Sequence, residues 1–356
     1  MKELHNILAQ ISQLNQQSAQ LFAQRMQLVE QMALYKQAHG LEVWEELSPN
    51  QALAQSTALL PQQELRPYFA RWLALQRQLD CQYEERVRGR STVAYQGVEG
   101  AFSHIALTRL FPDAQPLSCP TFEEVFQAVE QGRAAYGVLP FENSFAGDVD
   151  AVLDLCFAHP EVSVCRRYDL QVQQNLLALP GARLSDIRRV MSHPQALAQS
   201  RPFLNSLGLE TVECANTALA ARQVGQSGDV TLAAIASAET AALYGLSVLA
   251  RGINTDSTNT TRFIVISKQR PSQGNRFSLL FTARHQAGSL AQALQTIGEA
   301  GFNMECIKSR PRPGQPFAYY FYVELEGQAQ QPQTGELLAR LREICSTIRL
   351  LGVYTI

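Results

Sequence analysis

The chain has 356 residues, of which 46% are hydrophobic and 17% charged, a length that suggests two or three domains of roughly 100 to 200 residues each. Its formal net charge of -2 offers no basic field for nucleic acid or for an anionic membrane surface, so small molecules and other protein chains are the expected partners. Seven cysteines (Cys81, Cys119, Cys156, Cys165, Cys214, Cys306, Cys345) are scattered, odd in number and without a C-x-x-C pair, a pattern of reduced thiols rather than of a disulfide framework or a zinc site.

The opening "MKELHNILAQISQLNQQ" has no apolar run suited to a signal peptide, and no later stretch approaches the roughly 18 consecutive apolar residues of a membrane span. A cytoplasmic protein is expected. Apolar residues at Leu4, Ile7, Leu8, Ile11, Leu14, Leu21 and Leu28 have the spacing of a helical stripe. Gly40 interrupts it, Pro49 and Pro61 punctuate it, and a second run resumes at Tyr68, Trp72, Leu75 and Leu79. The pattern predicts one long helix and two shorter ones over residues 1–90. Helices this few expose much of their apolar stripe, so pairing with further copies, as a homodimer or homotetramer, is expected. A helical spacer without chemistry is the simpler alternative.

From Ser91 onward short β-branched runs (Val93 to Tyr95, Tyr136 to Leu139, Ser163 to Cys165, Arg189 to Met191, Leu232 to Ile235, Phe263 to Ile266) alternate with helix-like stretches. Alternation of this kind predicts an α/β domain over 91–270 with a largely parallel sheet, and in such sheets ligands sit at the carboxyl ends of strands. Polar clusters fall at those points: "GVEGAFSH", "PFENSFAGD", "SHPQALAQ" and "NTTRF". Each has a bland reading. Gly97 and Gly100 can make a tight turn with Ser103 as a helix cap; Glu142, Asn143 and Ser144 can be a loop and N-cap; Ser192, His193 and Pro194 can start the helix that carries Gln199. Their recurrence at strand ends of one domain instead suggests the lining of a cleft for a small multi-carboxylate ligand.

After the hinge-like "KQRPSQGNR" the text reads strand, helix, strand, strand, helix, strand over 276–356. The units are "RFSLLFTA", "GSLAQALQTIGEAG", "NMECIKSRP", "FAYYFYVELEG", "TGELLARLREICSTI" and "RLLGVYTI", with a turn at Pro313 and Gly314. This βαββαβ order is a widespread ligand-binding unit that does not by itself imply a function. No P-loop, no G-x-G-x-x-G and no metal-spaced His pair occurs, which leaves a site that uses neither metal nor cofactor.

Taken together, "YQGVEGAFSH", "LPFENSFAGD", "SHPQALAQ", "LYGL" and "NTTRF" resemble the successive signatures of bacterial prephenate dehydratase, followed by a segment similar to its ACT regulatory domain. The N-terminal helices resemble the AroQ-type chorismate mutase domain of the fused P-protein. The resemblance implies loss of carbon dioxide and of the ring hydroxyl from prephenate, giving phenylpyruvate on the route to L-phenylalanine. It gives Thr261 of "TRF" the role of donor to the leaving oxygen, with hydrogen-bond stabilisation favoured over full proton transfer because a Thr hydroxyl is a poor acid. Asn143, Ser192 and Gln199 match substrate-lining positions, with Glu142, Ser144 and Ser103 as weaker matches. Arg262 is assigned to a carboxylate or to the loop itself.

The resemblance also implies L-phenylalanine as effector, held by Gly288, Ser289 and Leu290 and by Ser309, Arg310 and Pro311. Here "GSLA" stands where that element typically reads "GALV", and "KSRP" where it reads "ESRP", so that Lys308 replaces an acid. In the mutase-like segment Arg25 and Lys36 match two cations and Glu45 an acid. Leu8, Ser48, Pro49, Gln76 and Asp80 depart from the residues expected at their positions. Losing several groups that act as a set costs orders of magnitude, which favours a degenerate helical dimerisation domain over a working mutase. A bifunctional enzyme, a prephenate decarboxylase that keeps the ring hydroxyl, and a ligand sensor without turnover are the competing readings.

Overall fold

The computed structural model describes residues 2–38, 60–87, 91–256, 258–271, 273–312 and 314–355, which form two compact units, Met1–Ser91 and Thr92–Ile356.

In the first unit a helix at Lys2–Ala38 packs against a second at Arg66–Val87, which a short 3-10 turn at Gln63–Leu65 precedes. The expected third helix, with Gly40, Glu45, Ser48 and Pro49, lies outside the described residues. Val29 and Ala33 of the first helix are buried. Leu4, Ile7, Leu8, Ile11, Leu14, Leu21 and Leu28, together with Tyr68, Trp72, Leu75 and Leu79, are exposed in the single chain. The predicted stripes are therefore outer faces.

The second unit contains fifteen strands among its described residues. They are β1 (Thr92–Gln96), β2 (Gln115–Cys119), β3 (Tyr136–Asn143), β4 (Gly147–Asp148), β5 (Ser163–Gln171), β6 (Asn175–Ala178), β7 (Arg189–Ser192), β8 (Glu210–Glu213), β9 (Leu232–Ala236), β10 (Ser247–Ala250), β11 (Thr260–Ser267), β12 (Arg276–Ala283), β13 (Asn303–Pro311), β14 (Tyr319–Glu326) and β15 (Cys345–Tyr354). One sheet has the order β13-β14-β12-β15-β5-β11-β3-β1-β2, with β4 added to β3, and the other has the order β10-β6-β9-β7-β8. The expectation of a largely parallel sheet is corrected. β1 pairs in parallel with β2 and β3, and β7 with β8 and β9, but β11 runs antiparallel to both β3 and β5. The reason is topological: β11 returns from the second sheet, so it enters the first one from the far end.

Local chemistry explains most boundaries. The helix Phe122–Glu130 begins at Thr121, whose hydroxyl accepts from Glu124 N at 3.2 Å, a cap worth about 1 kcal/mol. It buries Val125, Phe126, Ala128 and Val129 against β3 and β11. Each large apolar side chain so buried contributes roughly 1.5–3 kcal/mol. The helix that carries Gln199 does start within "SHP": His193 caps it and Pro194 lies in its first turn. The Ser103 expectation is corrected: Ala101 occupies the cap position, and Ser103 lies buried inside the helix Phe102–Leu110.

The C-terminal stretch follows the predicted order, except that "CSTI" opens β15 rather than closing a helix, because the helix ends at Ile344. Gly314 lies at the expected turn with φ +73°, while Pro313 is outside the described residues. β15 meets β5 at Gly352, where a Cβ would lie 2.5 Å from the Val164 carbonyl oxygen. Only glycine allows that approach, and it makes β12–β15 an extension of the first sheet. The core runs through the junction: Leu280, Tyr320, Tyr322, Leu351 and Tyr354 pack in one cluster with Phe126, Leu139 and Ile264. All seven cysteines are free, and no described helix is long and apolar enough to cross a membrane.

Candidate active site

The chain passes between the two sheets twice, from β5 to β6 and from β10 to β11. Between them lies a cavity of about 310 Å³, at the lower end of the range for small-ligand sites, which begins at about 300 Å³. Ser103, Asn143, Gln199, Thr217, Asn259 and Thr261 supply much of its polar lining, and Phe102, Phe122, Val172 and Phe263 contribute apolar wall. No Lys or Arg is among its lining residues.

The side chains at the mouth of β11 form a relay with one direction. Asn143, the last residue of β3, accepts at Oδ1 from the backbone N–H of Phe145 (3.0 Å) and of Ala146 (2.9 Å). Backbone N–H groups only donate, so they fix which end of the amide is oxygen. Asn143 Nδ2 then donates to Thr261 Oγ1 and to Asn259 Oδ1, each at 2.9 Å. Asn259 is 2% exposed and donates through Nδ2 to Gln199 Oε1 at 3.1 Å. Gln199 is buried, and its Nε2 has no hydrogen-bond partner among the described residues. Both ends of the relay are consequently donors. The Thr261 hydroxyl already accepts from Asn143, which leaves its own proton to point elsewhere, and the Gln199 amide has an N–H to give.

The relay gathers Thr261, Asn143 and Gln199 from the sequence-derived set, and Ser103 lines the same cavity. Four others are placed differently. Ser192 is fully buried and donates its hydroxyl to the Ile235 carbonyl at 2.7 Å, which ties β7 to β9. Ser144 Oγ accepts from Thr260 N at 3.0 Å on the outer side of the turn. Arg262 follows Thr261 on a strand, so its side chain leaves by the opposite face. There it bonds Asp169 at 3.2 Å and Glu142 at 3.0 Å. Burial works against its charge, but these carboxylates outweigh that cost and raise its pKa. Glu142 is thereby occupied as a partner of Arg262 and stands outside the cavity lining.

Asn259 was not among the candidates, although the signal was available: residues 259 and 261 share one face of an extended segment. Gln174, His193 and Thr217, also on the wall, carry no comparable signal in the sequence.

The prephenate dehydratase profile matches residues 93–271, and the chorismate mutase type II profile matches residues 7–75. An arogenate dehydratase/prephenate dehydratase of Arabidopsis thaliana is 34% identical over 280 residues, 74% of this chain and 71% of the relative. The chain belongs to the prephenate dehydratase family. Among solved structures, a prephenate dehydratase of Arthrobacter aurescens in complex with L-Phe aligns with TM-score 0.69 and 29% identity, over 74% of this chain and 90% of that one. A protein described as a novel type of quorum quenching acylase aligns with TM-score 0.67 and 35% identity, over 74% of this chain and 97% of that one.

Within this prephenate dehydratase-type unit the "LYGL" stretch has a mechanical task. Tyr244 donates from its hydroxyl to the Glu99 carbonyl at 2.7 Å, and Thr240 donates to the Gly100 carbonyl at 2.9 Å. Gly100 has φ +84°, and a Cβ on it would stand 3.1 Å from Leu243. The helix Ala238–Leu243 and the Tyr244 that follows it therefore close on the "GVEG" loop. His104, whose Nδ1 accepts from Gly100 N at 3.3 Å, has its pKa lowered by burial, in keeping with a neutral acceptor.

The remaining sequence-derived residues fall outside this cleft. In the chorismate mutase type II segment Arg25 donates to Asp80 at 3.0 Å and Lys36 to buried Glu84 at 3.1 Å. Asp80 raises the Arg25 pKa through that bond. Glu45 is not among the described residues. In the C-terminal stretch Gly288, at φ +81°, caps the helix Ser289–Glu299. Leu290 lines a separate cavity of about 700 Å³ with Arg284, Arg312 and Phe317. Ser309, Arg310 and Pro311 end β13, and Arg310 is turned onto the dehydratase-type lobe, bonding Asp150 at 2.6 Å and Asp154 at 2.7 and 3.0 Å.

Proposed function

We propose that the cleft converts prephenate into phenylpyruvate, carbon dioxide and water, with Thr261 as the donor to the departing ring oxygen. The observation that carries this reading is the one-directional relay, which commits Asn143 to the Thr261 oxygen and leaves the Thr261 proton for a ligand. In the reaction the bond from the ring to its carboxylate breaks, carbon dioxide leaves, and the electron pair enters the ring. Hydroxide departs from the opposite ring carbon and takes a proton from solvent. Aromatisation drives the step, so the protein need only orient two carboxylates and stabilise charge on the leaving oxygen.

The cavity suits that division of labour. Its aromatic and aliphatic wall (Phe102, Phe122, Val172, Phe263) desolvates the carboxylate to be lost, which favours the neutral gas over the anion. The other carboxylate meets donors: Gln199 and the first turns of the helices Phe102–Leu110 and Thr217–Ser227, whose N–H groups attract negative charge. Asn143, Gln199, Thr261 and Ser103 are the residues assigned to substrate. Ser192, Glu142, Ser144 and Arg262 are assigned to holding the walls. The test is product identity: prephenate with the purified chain yields phenylpyruvate, and retention of the ring hydroxyl in the product defeats the proposal. The acylase-type neighbour motivates an N-acyl amide as a control substrate. The His193 imidazole accepts from Gln195 N at 3.2 Å instead of activating a hydroxyl, so no hydrolysis is expected.

The same proposal divides the chain into residues 1–90, 91–270 and 276–356, the last being an ACT-type regulatory domain with L-phenylalanine as effector, in a cytoplasmic homodimer or homotetramer. Its supports are the strand and helix order of the C-terminal stretch, the L-Phe complex of the Arthrobacter aurescens relative, the free thiols and the exposed apolar faces of the first two helices. For the mutase-type segment the pairs Arg25–Asp80 and Lys36–Glu84 support a degenerate site, because a chorismate dicarboxylate must displace carboxylates already in place. Chorismate with the purified chain is expected to disappear at the spontaneous rate, while added prephenate is consumed. Acceleration of chorismate loss above a protein-free control contradicts this assignment.

A further inference from the structure

The replacement of an acid by Lys308 in "KSRP" has a partner in the dehydratase-type lobe. Lys308 lies on β13, yet its side chain is 7% exposed and its Nζ is ion-paired with Asp148 of β4. The same ammonium stands 3.4 Å from Glu142 and 4.8 Å from the centre of the Phe141 ring. Glu142 already has Arg262 at 3.0 Å, so the charge that Lys308 alone balances is that of Asp148. Asp148 lines the cavity, together with its chain neighbours Ala146, Gly147 and Val149. Among the lining residues it is the sole carboxylate.

We propose that Lys308 is a specificity-determining positioning residue: by cancelling Asp148 it makes the cleft prefer the keto dianion prephenate over arogenate, the counterpart that carries an ammonium in place of the keto oxygen. This rests on the dehydratase reading. The two substrates share both carboxylates and the ring hydroxyl and differ by one positive charge, so the charge of the wall separates them. An uncancelled Asp148 repels the dianion and attracts the ammonium. Asp148 is 40% exposed, which screens the effect and keeps it moderate. The geometry also makes the C-terminal stretch an indirect contributor to the charge of the cavity wall, since the group that balances Asp148 comes from 160 residues further along the chain.

The experiment compares steady-state kinetics on prephenate and arogenate for the full-length wild type, Lys308→Met and Lys308→Met/Asp148→Asn. Lys308→Met is expected to raise the KM for prephenate about tenfold with kcat changed less than about twofold, and to move the kcat/KM ratio about tenfold toward arogenate. High salt is expected to shrink both changes. Adding Asp148→Asn is expected to return the ratio to within about twofold of wild type, because the neutral amide needs no balancing charge. An unchanged ratio in Lys308→Met, or a failure of Asp148→Asn to restore it, overturns the proposal; the second outcome marks Lys308 as a structural tie alone. Wild type that turns over neither substrate removes the dehydratase reading, whereas wild-type turnover with no response to Lys308 removes only this inference.

Discussion

Thr261→Ala is expected to lower kcat for prephenate by about 10²- to 10³-fold, the usual cost of removing one donor from a site of developing negative charge, with KM held within about threefold. The substrate lacks its leaving-group donor but keeps both carboxylate contacts, so the loss falls on the transition state. Thr261 is partly buried at the end of an edge-free strand between β3 and β5, and loss of its side chain leaves that pairing intact. Thermal unfolding is expected to change little. Thr261→Ser, which restores the hydroxyl without the methyl, is expected to recover most of the rate. A Thr261→Ala variant with wild-type turnover removes the assigned donor from the account.

Asn143→Asp tests the direction of the relay with a side chain of nearly the same shape. A carboxylate still accepts from Phe145 N and Ala146 N, so the turn after β3 keeps its two bonds. It cannot donate, however, and it faces two oxygens at 2.9 Å, Thr261 Oγ1 and Asn259 Oδ1. The Thr261 hydroxyl then turns its proton to the carboxylate and away from the substrate, and a negative charge joins a cavity meant for a dianion. A fall in kcat/KM of about 10³-fold or more is expected, exceeding that of Thr261→Ala because binding and chemistry both suffer. Steady-state kinetics at neutral pH measure it. If Asn143→Asp is milder than Thr261→Ala, the orientation assigned to the Asn143 amide is wrong.

Much of this architecture was legible in the residues. β-branched runs mark β1, β3, β5, β7, β9 and β11, and "SHPQ" marks the start of the helix Pro194–Gln199. The five short strands β2, β4, β6, β8 and β10 lack such runs; "QPLSC" and "ETVE" are too polar to signal a strand on their own and gain their order from neighbours. The clusters at strand ends did point to one cleft, and Thr261, Asn143, Gln199 and Ser103 meet there.

What local text could not supply was direction and distance. Strand alternation places Thr261 and Arg262 on opposite faces, but which face is the cavity depends on the antiparallel return of β11 beside β3. Ser192 reads as a free hydroxyl in "SHPQ", and only the parallel pairing of β7 with β9 puts the Ile235 carbonyl within its reach. The acid-to-cation change at Lys308 gains a partner only through the fold, which brings Asp148 against it. In the N-terminal helices the one-turn offset matters: Asp80 faces Arg25 and Glu84 faces Lys36, a pairing that alignment of a repetitive Gln- and Leu-rich text does not resolve.

The proposed chemistry depends on one contact, between the Thr261 hydroxyl and the ring oxygen of the substrate. A crystal structure of the full chain with a prephenate analogue unable to lose its ring carboxylate measures it directly. The predicted result is a ring oxygen about 2.5–3.0 Å from Thr261 Oγ1, with Asn143 still donating to Thr261 and a carboxylate within reach of Gln199 Nε2. An analogue bound with its ring oxygen turned to the Phe102 and Phe122 wall, and Thr261 in contact with neither the hydroxyl nor its carbon, contradicts it.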